Sequence, residues 1–424
     1  MCVLKQIIDG GLKMRVRSGG YSNSAQVGNS ECWAIDPTGA FFVLSAGVGE
    51  SASIASRSIC ETIIKLLIPH RAQLEGMAAD GRPDSRQMLM SSICGAMIRS
   101  ERSLFEQSES LAASTGLAAT ADLLFLANGT VYIGHVGNNR VYLLRGDTGR
   151  QLTIDHTVYE YLKAQGKTEA ELARASYKNR LIRALGMSGG AEIDNLQVDL
   201  RQGDRLVICS PGVYECFQNA THLAQLYRTM DPQRASEFLV NYAVDHGCEG
   251  DASVICIEIS DPGLRCSSLE TESRITALEQ ICFFRDLSYQ EMLQIMPITF
   301  EKTVEAGVEI IHEGDEGEEL YILVEGECEV TNSGVRIAKL VSGSSFGELS
   351  LVDSQPRSAT VRALQTSRML VIRATDFERL TLSGALAVKL LWNVTHELSE
   401  RLRQSSETIR RQGLILLEHG LGGE

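Results

Sequence analysis

The chain has 424 residues and 46.3 kDa, with 40 Lys plus Arg against 54 Asp plus Glu, hence a formal net charge of −14. With 44% hydrophobic residues it can fill the cores of more than one domain at roughly 150 residues each. Such acidity argues against broad binding to nucleic acid or an anionic membrane, which needs a dense basic face, but it leaves room for one small basic pocket.

The first apolar strand signal is Phe41 to Leu44, followed by the helical stripe Ile59, Ile63, Leu66 and Leu67 and a second helical stretch over about residues 85–113. Short β-rich runs then cover 121–127, 131–136, 141–144, 206–209 and 254–259, each bounded by Gly, Asn or Asp. Strands, then two long helices, then strands predict an α+β domain with an antiparallel core flanked by helices. A polar, small-residue stretch over 263–273 reads as a linker. Beyond it lie a helical pattern (Ile275, Leu278, Ile281, Cys282), short strands between Gly-rich turns, and a closing helix over about 385–412, so a small β-barrel between helices is expected. The domain reading is 1–262, linker 263–273, second domain 274–412 and tail 413–424.

No apolar run reaches the ~18 residues of a membrane span. The opening stretch is broken by Lys5, Asp9 and Lys13, unlike a signal peptide, and position 2 is Cys rather than the Gly of a myristoylation signal. The 11 Cys contain no C-x-x-C, and the eight His are scattered with no H-E-x-x-H. Cys209 and Cys256 sit inside apolar runs as small hydrophobes, so neither a zinc site nor a disulfide framework is read here, and a cytoplasmic location is expected.

The strongest chemical signal is Phe346-Gly347-Glu348-Leu349-Ser350-Leu351 followed by Pro356-Arg357-Ser358-Ala359-Thr360-Val361. Gly347 lets backbone amides approach an anion, Arg357 offers a planar fork of donors for phosphate, and Glu348 can accept from a sugar hydroxyl. On these grounds alone a strand–turn–strand with a surface ion pair competes equally. The spacing and residues resemble the phosphate-binding cassette of the cyclic nucleotide-binding domain, and the upstream run from Gly314 to Gly326 is similar to that family's strand pair. The resemblance covers about 275–412 and implies a jelly-roll barrel with a C-terminal helix. It implies that Phe346, Gly347, Glu348 and Leu349 line the ribose-phosphate site, that Glu348 takes the ribose 2′-hydroxyl and Arg357 the cyclic phosphate, and that Ser358 and Ala359 complete the pocket. Ser405 and Ser406 are either base contacts, as in the similar helix of the bacterial catabolite activator, or two serines on a solvated face. The ligand reading is cAMP (or cGMP), with cAMP favoured. The 12 residues from Gly413 to Glu424 are too few for a DNA-reading domain. Leu391, Val394, Leu398 and Leu402 suit a homodimer seam or packing on the first domain.

In the first domain, Gly134-His135-Val136-Gly137-Asn138-Asn139-Arg140, Leu152-Thr153-Ile154-Asp155-His156, Arg183-Ala184-Leu185-Gly186 and Gly203-Asp204 to Cys209-Ser210 resemble the metal-dependent (PPM-type) Ser/Thr protein phosphatases. That resemblance implies a β-sandwich between helix pairs and two carboxylate-bridged metal ions that activate water. At the implied ligand positions stand Glu31, Ala46-Gly47, Asn138, Pro211 and Asp251, and the substrate arginine aligns with Gln26. Only Glu31 and Asp251, beside the vestigial Gly47, keep an acid. The expectation is therefore a pseudophosphatase, not an enzyme and without metal, which changes its binding to an unidentified protein partner when cyclic nucleotide binds. The alternative is an active Ser/Thr phosphatase gated by cyclic nucleotide through an atypical metal site.

Overall fold

The computed structural model describes residues 14–24, 29–80, 82–110, 117–174, 179–187, 190–248, 250–263, 271–281, 284–347, 356–381, 386–393, 395–396, 399 and 403. The chain divides into two compact units, one running through Thr271 with Leu293–Pro297, the other comprising Glu272–Met292 and the residues from Ile298 on.

The first unit opens with β1 (Arg15–Asn23), β2 (Glu31–Ile35) and β3 (Phe41–Val48). The β2–β3 turn is fixed by the buried Asp36, whose carboxylate accepts from the backbone N–H of Thr38 (2.9 Å), Ala40 (2.7 Å) and Phe41 (2.6 Å). Three helices follow: α1 (Ala52–Leu67), α2 (Arg71–Asp80) and α3 (Pro83–Ser110). Where two were expected, a 3₁₀ turn over Ile68–His70, carrying Pro69, separates α1 from α2. Ala55, Ile59, Ile63 and Leu67 give α1 its buried stripe.

Four strands come next, β4 (Ala118–Ala127), β5 (Thr130–Val136), β6 (Arg140–Arg145) and β7 (Thr148–Gln151), then α4 (Val158–Ala164) and α5 (Glu169–Arg174). The unit closes with β8 (Asp194–Asp199), β9 (Arg205–Cys209), α6 (Pro211–Tyr214), α7 (Ala220–Tyr227), α8 (Pro232–Asp245) and β10 (Ala252–Asp261). Asn219 and Asp231 cap α7 and α8, accepting from the N–H of His222 (2.9 Å) and Arg234 (3.2 Å).

The strands form two antiparallel five-stranded sheets, β2-β3-β4-β5-β8 and β1-β10-β9-β6-β7. Phe41, Val43, Leu123 and Phe125 pack in one cluster with α1 and α3, while Val207, Cys209, Val254 and Cys256 pack in another with α7 and α8. Alternation along each strand therefore turns Leu44, Ala46, Asp122, His135, Ile208, Ser210 and Ser253 toward the space between the sheets. This is a helix-flanked β-sandwich.

The second unit begins with α9 (Thr271–Glu279) and the first turn of α10 (Tyr289–Ile295), whose Leu293–Ile295 fall in the first unit. Its strands are β11 (Thr299–Val304), β12 (Glu309–Ile311), β13 (Glu319–Glu325), β14 (Glu327–Asn332), β15 (Val335–Val341), β16 (Ser345–Phe346), β17 (Thr360–Ala363) and β18 (Ser367–Arg373), followed by α11 (Ala374–Thr381). They pair as β11-β18-β13-β16 and β12-β17-β14-β15 around a core of Leu323, Cys328, Phe346, Val361 and Val371, consistent with a jelly roll. Of the expected closing helix, residues 386–393 are helical. Val394, Leu398, Leu402, Ser405 and Ser406 lie outside the described residues.

No helix among the described residues is long and apolar enough to cross a membrane.

Candidate functional site

Strand register builds the floor of a cleft at one end of the sandwich. Glu31 of β2 pairs with Ala46 of β3, and Ala46 with Thr120 of β4. From the other sheet, Ser22 pairs with Ser253, and the Ser253 N–H donates to Ser210 Oγ at 3.0 Å. The cleft has a cavity volume of about 950 Å³. Glu31, Ala46, Asn138, Pro211 and Asp251, which the phosphatase resemblance singles out, all line it, as does Gly47. Gly47 donates its N–H to Ser30 O at 2.8 Å, and a Cβ there would meet the backbone of Ala52, so this position admits no side chain.

The two surviving acids sit in different electrostatic settings. Asp251 accepts from Ser24 Oγ (2.7 Å) and from both the N–H (2.7 Å) and the hydroxyl of Ser30. Burial pushes the Glu31 carboxyl up to about 7; Ser253 and Ser210 offset part of that rise and Asp251 adds to it. Glu31 Oε2 is buried and makes no hydrogen bond among the described residues. Because the folded protein favours the protonated form, Glu31 adds stability below its ordinary carboxylate pKa and loses it as pH rises through about 7. Glu31→Gln is expected to be more stable than the native chain at pH 8, by ~1–3 kcal/mol, and about equal at pH 4. Urea titrations at the two pH values check this; an equal gain at both would mean Glu31 does not titrate in that range.

Deeper between the sheets, His135 Nδ1 lies 2.7 Å from Asp122 Oδ1 and its Nε2 lies 2.9 Å from Ile154 O. Burial opposes protonation of His135, but Asp122 outweighs it and holds the imidazole above its ordinary value. The Gly137 N–H donates to His156 Nδ1 (3.1 Å), which leaves the His156 proton on Nε2, 3.2 Å from Asp194 Oδ2. Arg183 Nη1 reaches the other Asp194 oxygen at 2.9 Å. Arg140 grips Asp155 through Nε (3.0 Å) and Nη2 (2.8 Å). The histidines and acids of the phosphatase-like motifs thus brace the sandwich behind the cleft.

In the barrel, Arg357 is held at both ends. Its N–H donates to Asp315 O (2.9 Å) and its carbonyl accepts from the Gly314 N–H (2.8 Å). The guanidinium donates to Gly347 O through Nη1 (3.0 Å) and to Glu319 O through Nη2 (2.9 Å). Gly347 has φ +78°, where a side chain is strained, and a Cβ on it would meet Arg357 Nη1 at 2.5 Å. A Cβ on Gly317 would lie 2.1 Å from Arg357 Nε. The two glycines and the Glu319 carbonyl thus form a seat for the guanidinium; the sequence reading missed Gly317 and Glu319 as part of it. Phe346 stacks on Tyr321 with ring centroids 5.1 Å apart. Ser358 is exposed and its carbonyl accepts from Asn332 Nδ2 at 2.8 Å, while Ala359 is half-buried. Glu348 and Leu349 lie outside the described residues. Gly317→Ala is expected to displace a flexible side chain rather than the backbone. Nucleotide affinity should fall about tenfold, the worth of one net hydrogen bond, with the unfolding midpoint little changed. Calorimetry and a melting curve on the same preparation check both halves.

Comparison with known proteins separates the two units. Residues 301–383 match the cyclic nucleotide-binding domain family. The serine/threonine phosphatase stp of Listeria innocua is 31% identical over 144 residues, covering 34% of this chain and 57% of that protein. The cAMP-dependent protein kinase regulatory subunit of Debaryomyces hansenii is 26% identical over 221 residues, covering 48% of this chain and 47% of its own. The chain thus spans only about half the length of these relatives. Among solved structures, the Mycobacterium tuberculosis serine/threonine phosphatase PstP/Ppp aligns with a TM-score of 0.49 at 21% identity, covering 57% of this chain and 98% of that one.

One expectation is corrected. The missing aspartates led to the reading that the chain is not an enzyme, yet the relatives matching this domain at about 30% identity are named serine/threonine phosphatases. Losing individual acids from the motifs is therefore not a sufficient ground for setting the chain apart from enzymes. The form of the site is a separate matter. Ala46, Asn138 and Pro211 supply no carboxylate, and both Asp251 oxygens already accept hydrogen bonds from serines. Among the described residues no three His, Cys, Asp or Glu are placed to hold a metal ion. The two-ion centre that the phosphatase resemblance implies does not fit these residues, and no step is derived through it. The N-terminal part of this chain has PPM-type Ser/Thr phosphatase homologues, and residues 301–383 are a cyclic nucleotide-binding domain.

Proposed function

We propose that the chain is a cytoplasmic Ser/Thr phosphoprotein phosphatase of atypical site, controlled by a cyclic nucleotide bound in the barrel, with cAMP preferred over cGMP. The observation that carries the reading is the fusion itself: a phosphatase-like sandwich with an open cleft, joined to a barrel whose arginine is seated for a phosphate. The names of the relatives, divided between cAMP-dependent and cGMP-dependent protein kinases, support a cyclic nucleotide as the ligand. Arg357 would take the cyclic phosphate, Gly347 and the adjoining cassette residues the ribose-phosphate, and Glu348 the ribose hydroxyl. The closing helix is the natural element to carry the signal, and Leu391 of that helix, 51% exposed, is available for a homodimer seam or a protein partner.

In the cleft, Glu31 near neutral pKa is suited to exchange a proton with water or a leaving hydroxyl, and Asp251 lies beside it, held by Ser24 and Ser30. Among the described residues, three acids (Glu31, Glu215, Asp251) and no Lys or Arg line the cleft. A phosphate dianion in such a lining meets like charge, so the assay is run with and without Mn²⁺ and Mg²⁺ as counter-ions of the substrate, although the described residues build no site for either. The test is phosphate release from a phosphothreonine peptide with and without each ion and each cyclic nucleotide. Release that rises with cAMP and falls at least tenfold in Glu31→Gln supports the reading. No release under any combination overturns it.

A further inference from the structure

We infer that Cys32 and Cys60 form a redox-active thiol pair in the first unit, which closes to a disulfide on encounter with a small-molecule disulfide such as oxidised glutathione. Cys32 lies on β2 and is partly exposed, whereas Cys60 lies on α1 and is 1% exposed. The Cys60 thiol donates to Cys32 O at 3.1 Å, and Cys32 packs against the core cluster that contains Cys60. One accessible sulfur backed by one buried sulfur is the arrangement of an attacking and a resolving thiol. The setting of Cys60 supports the same division of roles. Burial holds the Cys60 thiol well above its ordinary value.

The chemistry closes without a metal or an enzyme. The Cys32 thiolate attacks one sulfur of oxidised glutathione, its S–S bond breaks, and one glutathione thiolate leaves. Cys60 then loses its proton and attacks Cys32 Sγ in the mixed disulfide, expelling the second glutathione. The two protons from the cysteines end on the two glutathione thiols, and the two electrons from the cysteines reduce the oxidant. The product ties α1 to β2 one residue from Glu31, so the oxidation state of the pair sets the rigidity of the strand that carries Glu31 into the cleft.

The test uses the full chain, reduced, desalted and exposed to oxidised glutathione, then alkylated and digested with trypsin. Cleavage after Arg17, Arg57 and Lys65 releases 18–57 and 58–65, which carry Cys32 and Cys60 as their only cysteines. The expected result is one species containing both peptides, lost on reduction. Cys60→Ala should instead accumulate a stable glutathione adduct on 18–57, since no resolving thiol remains, and Cys32→Ser should give neither product. Cys32→Ser replaces a partly exposed side chain, so it keeps the test valid if Cys60→Ala folds poorly. A stable adduct on Cys32 in the native chain overturns the inference, as does a linkage confined to other cysteines such as Cys216 and Cys248, or no linkage at all.

Discussion

Replacing Arg357 by alanine is expected to weaken cyclic-nucleotide binding by ~2–5 kcal/mol, roughly 30- to 5,000-fold, because a desolvated phosphate then loses its charged partner. The loss should appear without unfolding. The backbone at this position is held by Asp315 O and the Gly314 N–H, neither of which depends on the side chain. Arg357→Lys keeps the charge but not the planar fork that reaches the Gly347 and Glu319 carbonyls, so it should fall between the native chain and alanine. Titration calorimetry on the three proteins checks the order. Unchanged affinity in Arg357→Ala would show that the cassette has been misplaced.

The second large effect concerns stability. Asp194→Ala is expected to destabilise the first unit by ~3–5 kcal/mol, since it leaves buried positive and polar partners without their acid. Arg183 lies 2.9 Å from one carboxylate oxygen and His156 3.2 Å from the other, and the Asp194 side chain is only 12% exposed. Burial alone would raise the Asp194 pKa, but His156, Arg183 and His135 outweigh it and hold the carboxyl well below the usual carboxylate range. A depressed acid contributes stability above its unfolded pKa of about 3.9 and loses it as pH falls through the folded value. Urea unfolding at pH 7 should therefore show the full deficit of the variant, and the gap should narrow below about pH 4. A variant within 1 kcal/mol of the native chain at pH 7 would mean that Asp194 is not a keystone of this network.

The elements were legible where local pattern dictates them. Leu206 to Cys209 and Val254 to Ile259 are apolar on both faces because they lie between two cores, so they read as buried strands from residue types alone. The Ile59, Ile63 and Leu67 stripe of α1 depends only on helical spacing. Arg357 was legible because the cassette is contiguous, but its seat was not: Gly317 and Glu319 lie about 40 residues upstream and meet it only when the barrel closes. The polar row behind the cleft was hidden for the same reason. Ser22, Ser210 and Ser253 are unremarkable alone and become one polar row beside Glu31 only through the register of three strands. The Cys32–Cys60 contact is likewise a helix-on-sheet contact that 28 residues of sequence separation conceal. The misjudgement about enzymatic status came from treating a tally of acids as a statement about activity, when it is a statement about one geometry of metal site.

The most direct test of the central claim is isothermal titration of the purified full chain with cAMP and, separately, with cGMP, in the presence of EDTA. The account predicts saturable binding of one cyclic nucleotide per chain without any metal, tighter for cAMP and strongly weakened in Arg357→Ala. Heats that stay at the level of dilution for both nucleotides would contradict it, because the barrel would then hold a seated arginine with no ligand to control the cleft.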